Sequence, residues 1–319
     1  MYDRSALMFV YCVSPLHMGA GTALGAIDNP IQRERHTRHP MIVGSGIKGA
    51  LRHTCQAAAN NDRAALEQLW LVFGPETDRS SDHAGALSVS DAQIVCFPVR
   101  SLKHTFVYAT SATALARLQR LVEVVLRNPP DGFPKVSLPK VDESSAVVLD
   151  SDLLDKDYLI LEAFRFKKAS EGAGELGAIA RWLAENAVPP QPSYFAEKLG
   201  KHLVLLHDDW FNHFVEHATV VEPHVRIKDE SGTADEGGLF YTENLPPESL
   251  LVSVLMASKS RKAPAGRPEG EEVQSMSPEA VLDYVRSHVE RELVQLGGDA
   301  TTGRGQVIMR GFGWPGKGA

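Results

Sequence analysis

The sequence has few cysteines and no long apolar run. Its 319 residues include three cysteines, Cys12, Cys55 and Cys96, whose odd number and wide spacing exclude a disulfide framework and a CxxC zinc site. The apolar run at residues 7–13 is too short to cross a membrane. It also lacks the basic stretch and the small-residue cleavage site of a secretory signal. We therefore expect a cytoplasmic protein that has no membrane partner.

Basic residues are outnumbered by acidic ones. The chain carries 33 lysines and arginines against 40 aspartates and glutamates, a net charge of −7. This balance argues against indiscriminate nucleic-acid binding but leaves room for a local basic groove. Hydrophobic residues make up 43% and charged residues 23%, as in an ordinary globular protein of one large or two small domains.

One early segment is rich in both glycine and charge. Residues 16–52 read LHMGAGTALGAIDNPIQRERHTRHPMIVGSGIKGALR, and about thirty of them lack periodicity, which is long for a connection inside a compact domain. Glycines let a backbone approach a ligand closely, and basic side chains outnumber the acidic Asp28 and Glu34. We predict phosphate contacts here. The candidates are Gly19, Gly21, Arg33, Arg35, Ser45, Lys48 and Arg52.

A second glycine segment, GGDATTGRGQ, follows a predicted helix and precedes a predicted strand. That order is the reverse of a dinucleotide fingerprint, and the lysine and serine of a P-loop are missing, so we expect no nucleotide cofactor. Peptide N–H groups, hydroxyls and a guanidinium suit a phosphodiester backbone. The alternative is a helix C-cap followed by a tight turn. The candidates are Thr301, Thr302, Gly303, Arg304 and Gly305.

Apolar periodicity and turn residues divide the chain into irregularly alternating helices and strands, which favours an α+β fold. We predict helices at residues 45–59 (with Ser45 as N-cap), 63–73, 112–126 (stopped by the prolines at 129–130), 176–187, 208–217 and 278–296. We predict strands at residues 7–13, 86–99 (broken at Pro98), 159–166 and 250–257. Residues 220–227 and 239–242 form a hairpin with an acidic tip. Residues 258–277 have the composition of a mobile surface insert.

The motifs together resemble the RAMP superfamily of CRISPR-associated RNA-binding proteins. The resemblance rests on the first strand, the segment at residues 16–52 and the late GRG loop. PIQRERHT after Asp28 and the closing GSGIKGALR are similar to the RNA-cleaving backbone subunit of the type III-B (Cmr) effector complex. VRIKDESGTADEGGLFYTENLP resembles the thumb hairpin of that subunit. Residues 100–210 contain no motif that resembles the family.

The resemblance implies a single RAMP domain with a ferredoxin-like (RRM-like) palm, finger inserts and a β-hairpin thumb. The palm would be built from about residues 1–100, 155–167, 250–257 and 278–312. The inserts would occupy about residues 101–154 and 168–217, and the thumb about residues 218–247.

The resemblance also implies a function in antiviral defence. Copies of the chain would stack as a helical filament along a guide RNA (crRNA), together with other Cmr-complex subunits. Each copy would act as an endoribonuclease that cuts complementary single-stranded target RNA at regular intervals, leaving a 2′,3′-cyclic phosphate and a 5′-hydroxyl. A divalent metal, Mg²⁺ or Mn²⁺, is implied, with Asp28 as its ligand.

By its position in the resembling segment, Asp28 would be the catalytic residue. An ionised aspartate can hold a metal-bound water or accept the proton of the attacking hydroxyl, but it cannot donate one. His17 or a metal-bound water could supply the acid, and Glu243 is a further catalytic candidate. Two alternatives remain open. Asp28-Asn29-Pro30 can form an Asx-type turn, and the chain can be an RNA-binding scaffold that does not cut. A related enzyme that processes guide RNA is disfavoured by the PIQRERHT segment.

Phe240 and Tyr241, at the base of the predicted thumb hairpin, are candidates for splaying the target. An aromatic ring that stacks on a displaced base contributes about 1–3 kcal/mol in single-strand binders. Because alternate residues of a strand point to opposite faces, at least one of the two rings is expected to pack inward instead.

One motif points to a different enzyme class. His213, Glu216 and His217 match the H-x-x-E-H pattern of inverted zinc peptidases, and the two histidines would share one face of a helix. No further ligand is identifiable. Trp210, Phe211 and Phe214 favour a plain amphipathic helix whose aromatic stripe faces the core.

Overall fold

The chain folds around one mixed β-sheet. The computed structural model describes residues 2–76, 83–126, 134, 137–261 and 275–314. Its helices are α1 (Gly44–Ala59), α2 (Arg63–Phe73), α3 (Ala112–Arg120), α4 (Ala173–Asn186), α5 (Ser193–His202), α6 (Asp208–His217) and α7 (Pro278–Val289). Its strands are β1 (Arg4–Cys12), β2 (Met41–Ile42), β3 (Leu87–Val89), β4 (Ala92–Arg100), β5 (Phe106–Ser111), β6 (Ser145–Val148), β7 (Leu154–Asp155), β8 (Tyr158–Leu161), β9 (Phe164–Lys168), β10 (Leu203–Leu206), β11 (Val220–Ile227), β12 (Ala234–Asn244), β13 (Leu250–Ala257), β14 (Leu293–Gln295) and β15 (Gln306–Phe312).

The main sheet runs in the order β14-β15-β1-β13-β4-β5-β10-β6-β9-β8-β7, with β2 paired to β4 and β3 paired to β13. The pairs β5–β10 and β6–β9 are parallel, and the pairs that join β14, β15, β1, β13, β4 and β5 are antiparallel. Strands β11 and β12 form a separate two-stranded antiparallel sheet, which is the predicted hairpin. This mixture of sheet and helices confirms the predicted α+β class.

Strand β1 lies inside the sheet and is buried on both faces. Met8 and Val10 contact the core that includes α1 and α7, whereas Leu7 and Phe9 contact the core that includes α3, α4 and α5. A strand that is covered on both sides needs apolar residues at every position rather than at alternate ones. This explains the continuous apolar run near the start of the sequence.

Several predicted elements are confirmed by the structure. Helix α2 covers the predicted residues 63–73, with the Asp62 carboxylate accepting a hydrogen bond from the Ala65 N–H at its start and Gly74 at its end. Helix α6 and strand β13 also match their predicted bounds. These segments combine a clear apolar pattern with a strong start or stop signal.

Other predicted elements are wrong in their bounds. Residues 159–166 form two antiparallel strands, β8 and β9, joined by a turn in which Glu162 has a positive φ of 49°. Helix α7 ends at Val289, because residues 293–295 pair with β15 as β14. Pro98 does not break β4, since the strand continues to Arg100 and there pairs with β5.

The start of α1 also differs from the prediction. The N-cap is Val43, and Ser45 lies inside the first turn. The N–H of Gly44 donates to the Asp91 carboxylate at 2.7 Å, so Asp91 takes the role predicted for Ser45. Helix α1 therefore begins in close contact with the β3–β4 connection.

Two predictions lie outside the described residues. These are the proline stop at residues 129–130 and most of the insert at 258–277, of which residues 262–274 are not described. Among the helices that are described, none is both long and apolar enough to span a bilayer.

The glycine at the start of α1 is expected to be indispensable for packing. A Cβ atom at Gly44 would lie 2.3 Å from the carbonyl oxygen of Val89, so Gly44→Ala should lower the free energy of unfolding by about 1–3 kcal/mol. Gly49 lies in the same helix, and a Cβ atom added there would have no atom from outside its own stretch of helix within 4 Å. Gly49→Ala is therefore the matched control and should raise the free energy of unfolding by about 0.5–1 kcal/mol. Urea denaturation of both variants measures the two changes in the free energy of unfolding. Equal changes would contradict the argument that Gly44 is needed for packing against Val89.

Candidate active site

The segment predicted to contact phosphate is an ordered ribbon in the structure. Residues 18–23 pair with residues 28–32 through three backbone hydrogen bonds. These run from the Gln32 N–H to the Met18 carbonyl (2.8 Å), from the Ala20 N–H to the Pro30 carbonyl (2.9 Å), and from the Ala23 N–H to the Asp28 carbonyl (2.8 Å). The absence of sequence periodicity thus reflects a local pairing rather than an unstructured loop.

This ribbon docks edge-on against strand β12 of the exposed hairpin. The Asn29 N–H donates to the Tyr241 carbonyl, and the Glu243 N–H donates to the Asn29 carbonyl, both at 3.0 Å. Leu16 and Leu245 exchange two backbone hydrogen bonds of 2.9 Å. Residues more than two hundred positions apart are therefore held in one continuous backbone network.

Asp28 lies half-buried where the ribbon meets the hairpin. Its Oδ2 atom accepts a 2.7 Å hydrogen bond from the backbone N–H of Tyr241. Its Oδ1 atom accepts no hydrogen bond from the described residues. One carboxylate oxygen thus fixes the side chain, and the other is left to act on a ligand.

His17 is anchored to the same strand. Its Nδ1 atom lies 2.7 Å from the carbonyl oxygen of Glu243, and because a carbonyl only accepts, Nδ1 carries the proton. The Nε2 atom is then the free position of the ring. Asp28 and His17 are held at residues 241 and 243 of β12, positions that lie about 6.7 Å apart along a strand.

Gly19 makes room for the His17 ring. A Cβ atom at residue 19 would lie 2.8 Å from His17 Nε2, so a larger residue would displace the imidazole. We predicted Gly19 as a phosphate contact, and Gly19 is exposed in the structure. Gly21 is also exposed and has a positive φ of 90°.

Glu243 is not a catalytic side chain in this structure, contrary to the prediction. Its carboxylate is buried and accepts hydrogen bonds from Arg33 Nη2 at 2.6 Å, Thr219 Oγ1 at 2.8 Å and the Ile31 N–H at 3.0 Å. Only 3% of the Glu243 side chain and 6% of the Arg33 side chain is exposed. Both groups are engaged within the protein, so the structure gives no support to a catalytic role for Glu243 or to the predicted RNA contact of Arg33.

Arg33 extends this network to helix α6. Its guanidinium donates to the carbonyl oxygens of Arg38 (2.8 Å) and Val215 (2.9 Å). A buried guanidinium that is satisfied on several sides fixes the positions of all its partners. The Arg33–Glu243 pair therefore joins the ribbon, the end of α6 and the root of the hairpin, a role that sequence patterns do not reveal.

Two other predicted phosphate contacts hold the protein's own backbone. Lys48 Nζ donates to the Leu87 carbonyl at 2.8 Å, and the Arg52 guanidinium donates to the carbonyls of Gly74 and Pro75. Burial, together with the neighbouring charge of Arg52, lowers the pKa of Lys48. These contacts use one of the three Nζ–H donors of Lys48 and two of the five donors of Arg52, so both side chains are anchored to the protein's own backbone and keep donors for a ligand.

The remaining predicted contacts are more open. Arg35 and Ser45 are exposed. In the glycine loop, Thr301, Thr302 and Gly303 are exposed, and Gly305 is buried with its N–H donating to the Pro15 carbonyl at 2.8 Å.

Arg304 ties the glycine loop to the hairpin. Its Nη2 atom donates to both carboxylate oxygens of Glu222, each at 2.6 Å. Both side chains are about one quarter exposed, at 26% and 27%, so this pair, unlike that of Arg33 and Glu243, lies within reach of solvent and ligands.

The hairpin has two different faces. Phe240 stacks on His224, with the ring centroids 5.2 Å apart and the planes 19° from parallel. Tyr241 lies on the other face, where it is exposed and opposite Pro223 in the ladder. The other large apolar residues exposed on this face are Val221, Val225, Ile227 and Leu239.

The zinc-peptidase motif lacks a complete ligand set. His213 and His217 do share a face of α6, with ring centroids 4.8 Å apart, but Glu216 pairs with Arg38 at 3.2 Å. Burial and the neighbouring His217 lower the pKa of His213. The group of three potential metal ligands found among the described residues lies elsewhere and consists of Glu143, His207 and Asp209.

Asp28 alone does not make a metal site. It offers one free carboxylate oxygen, and the described residues bring no second and third ligand to it. Divalent ions that are held stably by protein need several oxygen ligands. The residues present do not fit a metal held by this chain alone.

Comparison with known proteins places the chain in a defined family. The model of the RAMP superfamily matches residues 9–308. The "CRISPR system Cmr endoribonuclease Cmr4" of Pyrococcus furiosus is 31% identical over 305 residues, which cover 95% of this chain and 94% of that protein.

Solved structures show the same fold. Oligomeric Cmr4 from Pyrococcus furiosus superimposes with a TM-score of 0.69 at 26% identity, covering 97% of this chain and 98% of that one. A chain of the type III-B Cmr-beta complex bound to cognate target RNA also gives a TM-score of 0.69, at 18% identity and with the same coverage of both chains. At that lower identity the match shows the fold alone.

The buried ion pair should dominate the stability of the site. Glu243→Gln keeps the shape of the side chain but leaves the Arg33 charge buried without its partner, and we expect the free energy of unfolding to fall by about 3–5 kcal/mol. Glu236→Gln removes an exposed charge from the same hairpin and should change it by less than about 0.5 kcal/mol. Urea denaturation compares the two, and similar small losses would show that the pair does not hold the site together.

Proposed function

The chain belongs to the RAMP superfamily and, within it, to the Cmr4 proteins, and from this membership we propose that it is the repeated backbone subunit of a type III-B CRISPR ribonucleoprotein. In this role it binds guide RNA in the cytoplasm, stacks with other copies of itself and with other Cmr subunits, and cleaves complementary target RNA as part of antiviral defence. The observation that carries the proposal is the placement of Asp28, whose carboxylate is fixed to the hairpin backbone with one oxygen free.

We assign the palm to the strands β15-β1-β13-β4, with α1 and α7 on one face. That strand order, with its antiparallel pairs, supports the ferredoxin-like arrangement. The thumb corresponds to the β11–β12 hairpin. We assign strands β5 to β10 and helices α3 to α5 to the inserts. This assignment moves residues 155–167, which were predicted to belong to the palm, into a part of the sheet that extends beyond β4.

The chemistry follows from the free oxygen of Asp28. The target 2′-hydroxyl attacks the adjacent phosphorus, the bond from phosphorus to the 5′-oxygen breaks, and the products are a 2′,3′-cyclic phosphate and a 5′-hydroxyl. The Asp28 carboxylate accepts the hydroxyl proton or orients the hydroxyl for in-line attack. Orientation of this kind supplies much of the rate when the nucleotide is already splayed.

We assign the return of the proton to His17. Its Nδ1–H is held by the Glu243 carbonyl, so in the protonated ring Nε2–H is the free donor for the leaving 5′-oxygen. Glu243 and Arg33 act on neither atom; they are positioning residues that hold the ribbon and the hairpin in register. Dependence of the cleavage on Mg²⁺ or Mn²⁺ stays a prediction, in which RNA phosphates would complete the ligand set.

The exposed apolar face of the hairpin suits the splaying role. Tyr241 is the aromatic residue that is free to stack on a displaced target base, because Phe240 is already stacked on His224. The Tyr241 backbone also donates the hydrogen bond to Asp28. The same residue thus links displacement of the base to placement of the carboxylate.

Asp28→Asn tests the catalytic proposal directly. The amide keeps an oxygen that can accept the Tyr241 hydrogen bond but loses the charge needed to take a proton. In the assembled complex we expect target cleavage to fall by at least about 100-fold, with target binding unchanged. Labelled target RNA allows the cleavage rate and the bound fraction to be measured in one experiment.

The matched control is Asp229→Asn, which removes a charge from the exposed tip of the hairpin and should leave cleavage unchanged. If Asp28→Asn cuts at the wild-type rate while binding persists, the chain is a scaffold and the chemistry lies elsewhere.

Guide binding should depend on release of Arg304 from Glu222. Glu222→Gln removes the competing charge, so we expect tighter binding of guide RNA, whereas Arg304→Gln should weaken it for all guide sequences alike. The slope of log affinity against log salt should become shallower by about 0.7 in Arg304→Gln, the value for one phosphate contact on a single strand. Filter binding over a salt series measures both quantities.

Asp235→Asn is the control for the Glu222 variant, because it removes an acidic partner of Arg226 and Lys228 in the same hairpin without touching Arg304. If Glu222→Gln weakens guide binding as much as Arg304→Gln does, the pair is structural and Arg304 is not a phosphate ligand.

A further inference from the structure

A pocket at the C-terminal end of α6 contains two histidines that the proposed function does not use. The pocket has a volume of about 420 Å³, and its lining includes Glu162, Phe164, His213, His217 and Thr219. Glu162 comes from the β8–β9 turn, whereas the histidines come from the last turns of α6. Two elements far apart in the sequence therefore meet around this space.

The two imidazoles are arranged as a pair of metal ligands would be. They lie four residues apart on one helix, with ring centroids 4.8 Å apart and planes inclined by 52°. Neither ring forms a hydrogen bond with the part of the chain that the structure describes, so their nitrogens are left for water or a ligand. Phe164 packs edge-on against His213 at 5.2 Å and restricts the motion of that ring.

The surrounding charge favours a cation over an anion. The C-terminus of a helix carries partial negative charge, and both histidines lie near that end of α6. The Glu162 carboxylate lines the same pocket. The partial negative charge of the helix end and the negative charge of Glu162 would both repel a phosphate or a carboxylate ligand. Both would attract a divalent cation.

The three-ligand cluster at the opposite end of α6 is a weaker candidate. Glu143, His207 and Asp209 lie within reach of one another, but His207 Nδ1 already accepts the Asp209 N–H at 3.3 Å as the helix N-cap. The N-terminal end of a helix also opposes a cation. Acidic side chains at that end need no metal to explain them.

We propose that His213 and His217 bind a divalent transition metal of the zinc class, with water completing the coordination and the Glu162 carboxylate lining the same pocket. Imidazole nitrogens select such ions over Mg²⁺, which prefers oxygen. The site is structural rather than hydrolytic, because Glu216, the residue that a peptidase would use as its base, is paired with Arg38. A bound ion would brace the end of α6, where Arg33 docks on the Val215 carbonyl and where Thr219 reaches Glu243.

Titration of the full-length, tag-free, chelator-treated chain with Zn²⁺ by calorimetry tests the inference. The wild type should bind one ion saturably. Because His217 is exposed, His217→Ala should fold normally and weaken binding at least about tenfold, the scale that even supporting residues of metal sites show. Saturating Zn²⁺ should raise the melting temperature of the wild type but not of His217→Ala. Co²⁺ should report the same site through its visible absorption bands.

His207→Ala is the matched control and should bind Zn²⁺ as the wild type does. No saturable binding, or binding that His207→Ala abolishes and His217→Ala leaves intact, would overturn the assignment. These measurements do not involve RNA, so their outcome is independent of the proposed nuclease function.

Discussion

The buried ion pair between Arg33 and Glu243 is the interaction on which the rest of the site depends. Two opposite charges that are removed from water stay stable only while each keeps its hydrogen-bond partners. Here those partners come from the ribbon before β2, the end of α6, the start of the hairpin and strand β12. The hairpin cannot rotate against the ribbon without breaking at least one charged hydrogen bond, so Asp28 and His17 are held in a fixed relation to it.

The elements that could be predicted from the sequence are those with local signals. Helix α2 has a capping aspartate and a terminal glycine, and α6 and β13 have clear apolar patterns. Strands β6 and β10 have four residues each, which is too short for a periodic pattern, and their places in the sheet depend on partners that are distant in sequence. Helix α7 was predicted too long because the pairing of β14 with β15 overrides a helical pattern that continues past Val289.

Fewer features of the candidate site than of the fold could be predicted from the sequence. Asp28 was found through family resemblance, and its neighbour in space, Tyr241, through the predicted hairpin. Lys48 and Arg52 were predicted to contact phosphate, and in the structure they donate to backbone carbonyls. The sequence alone does not show these acceptors, because they belong to segments that only the fold brings together. Glu243 was predicted as a reacting group for the same reason. Only the fold shows that the Glu243 carboxylate is paired with Arg33, which lies 210 positions away in the sequence.

Asp28 is held by a main-chain N–H rather than by a side chain. Every amino acid except proline carries that donor, so the side chain at position 241 can be exchanged without releasing the carboxylate. Natural selection is thus free to fit residue 241 to whatever it faces, while the register of the hairpin must stay constant. A preference for an aromatic ring at position 241 would therefore reflect the base that it stacks on, and not the placement of Asp28, which depends on the backbone alone.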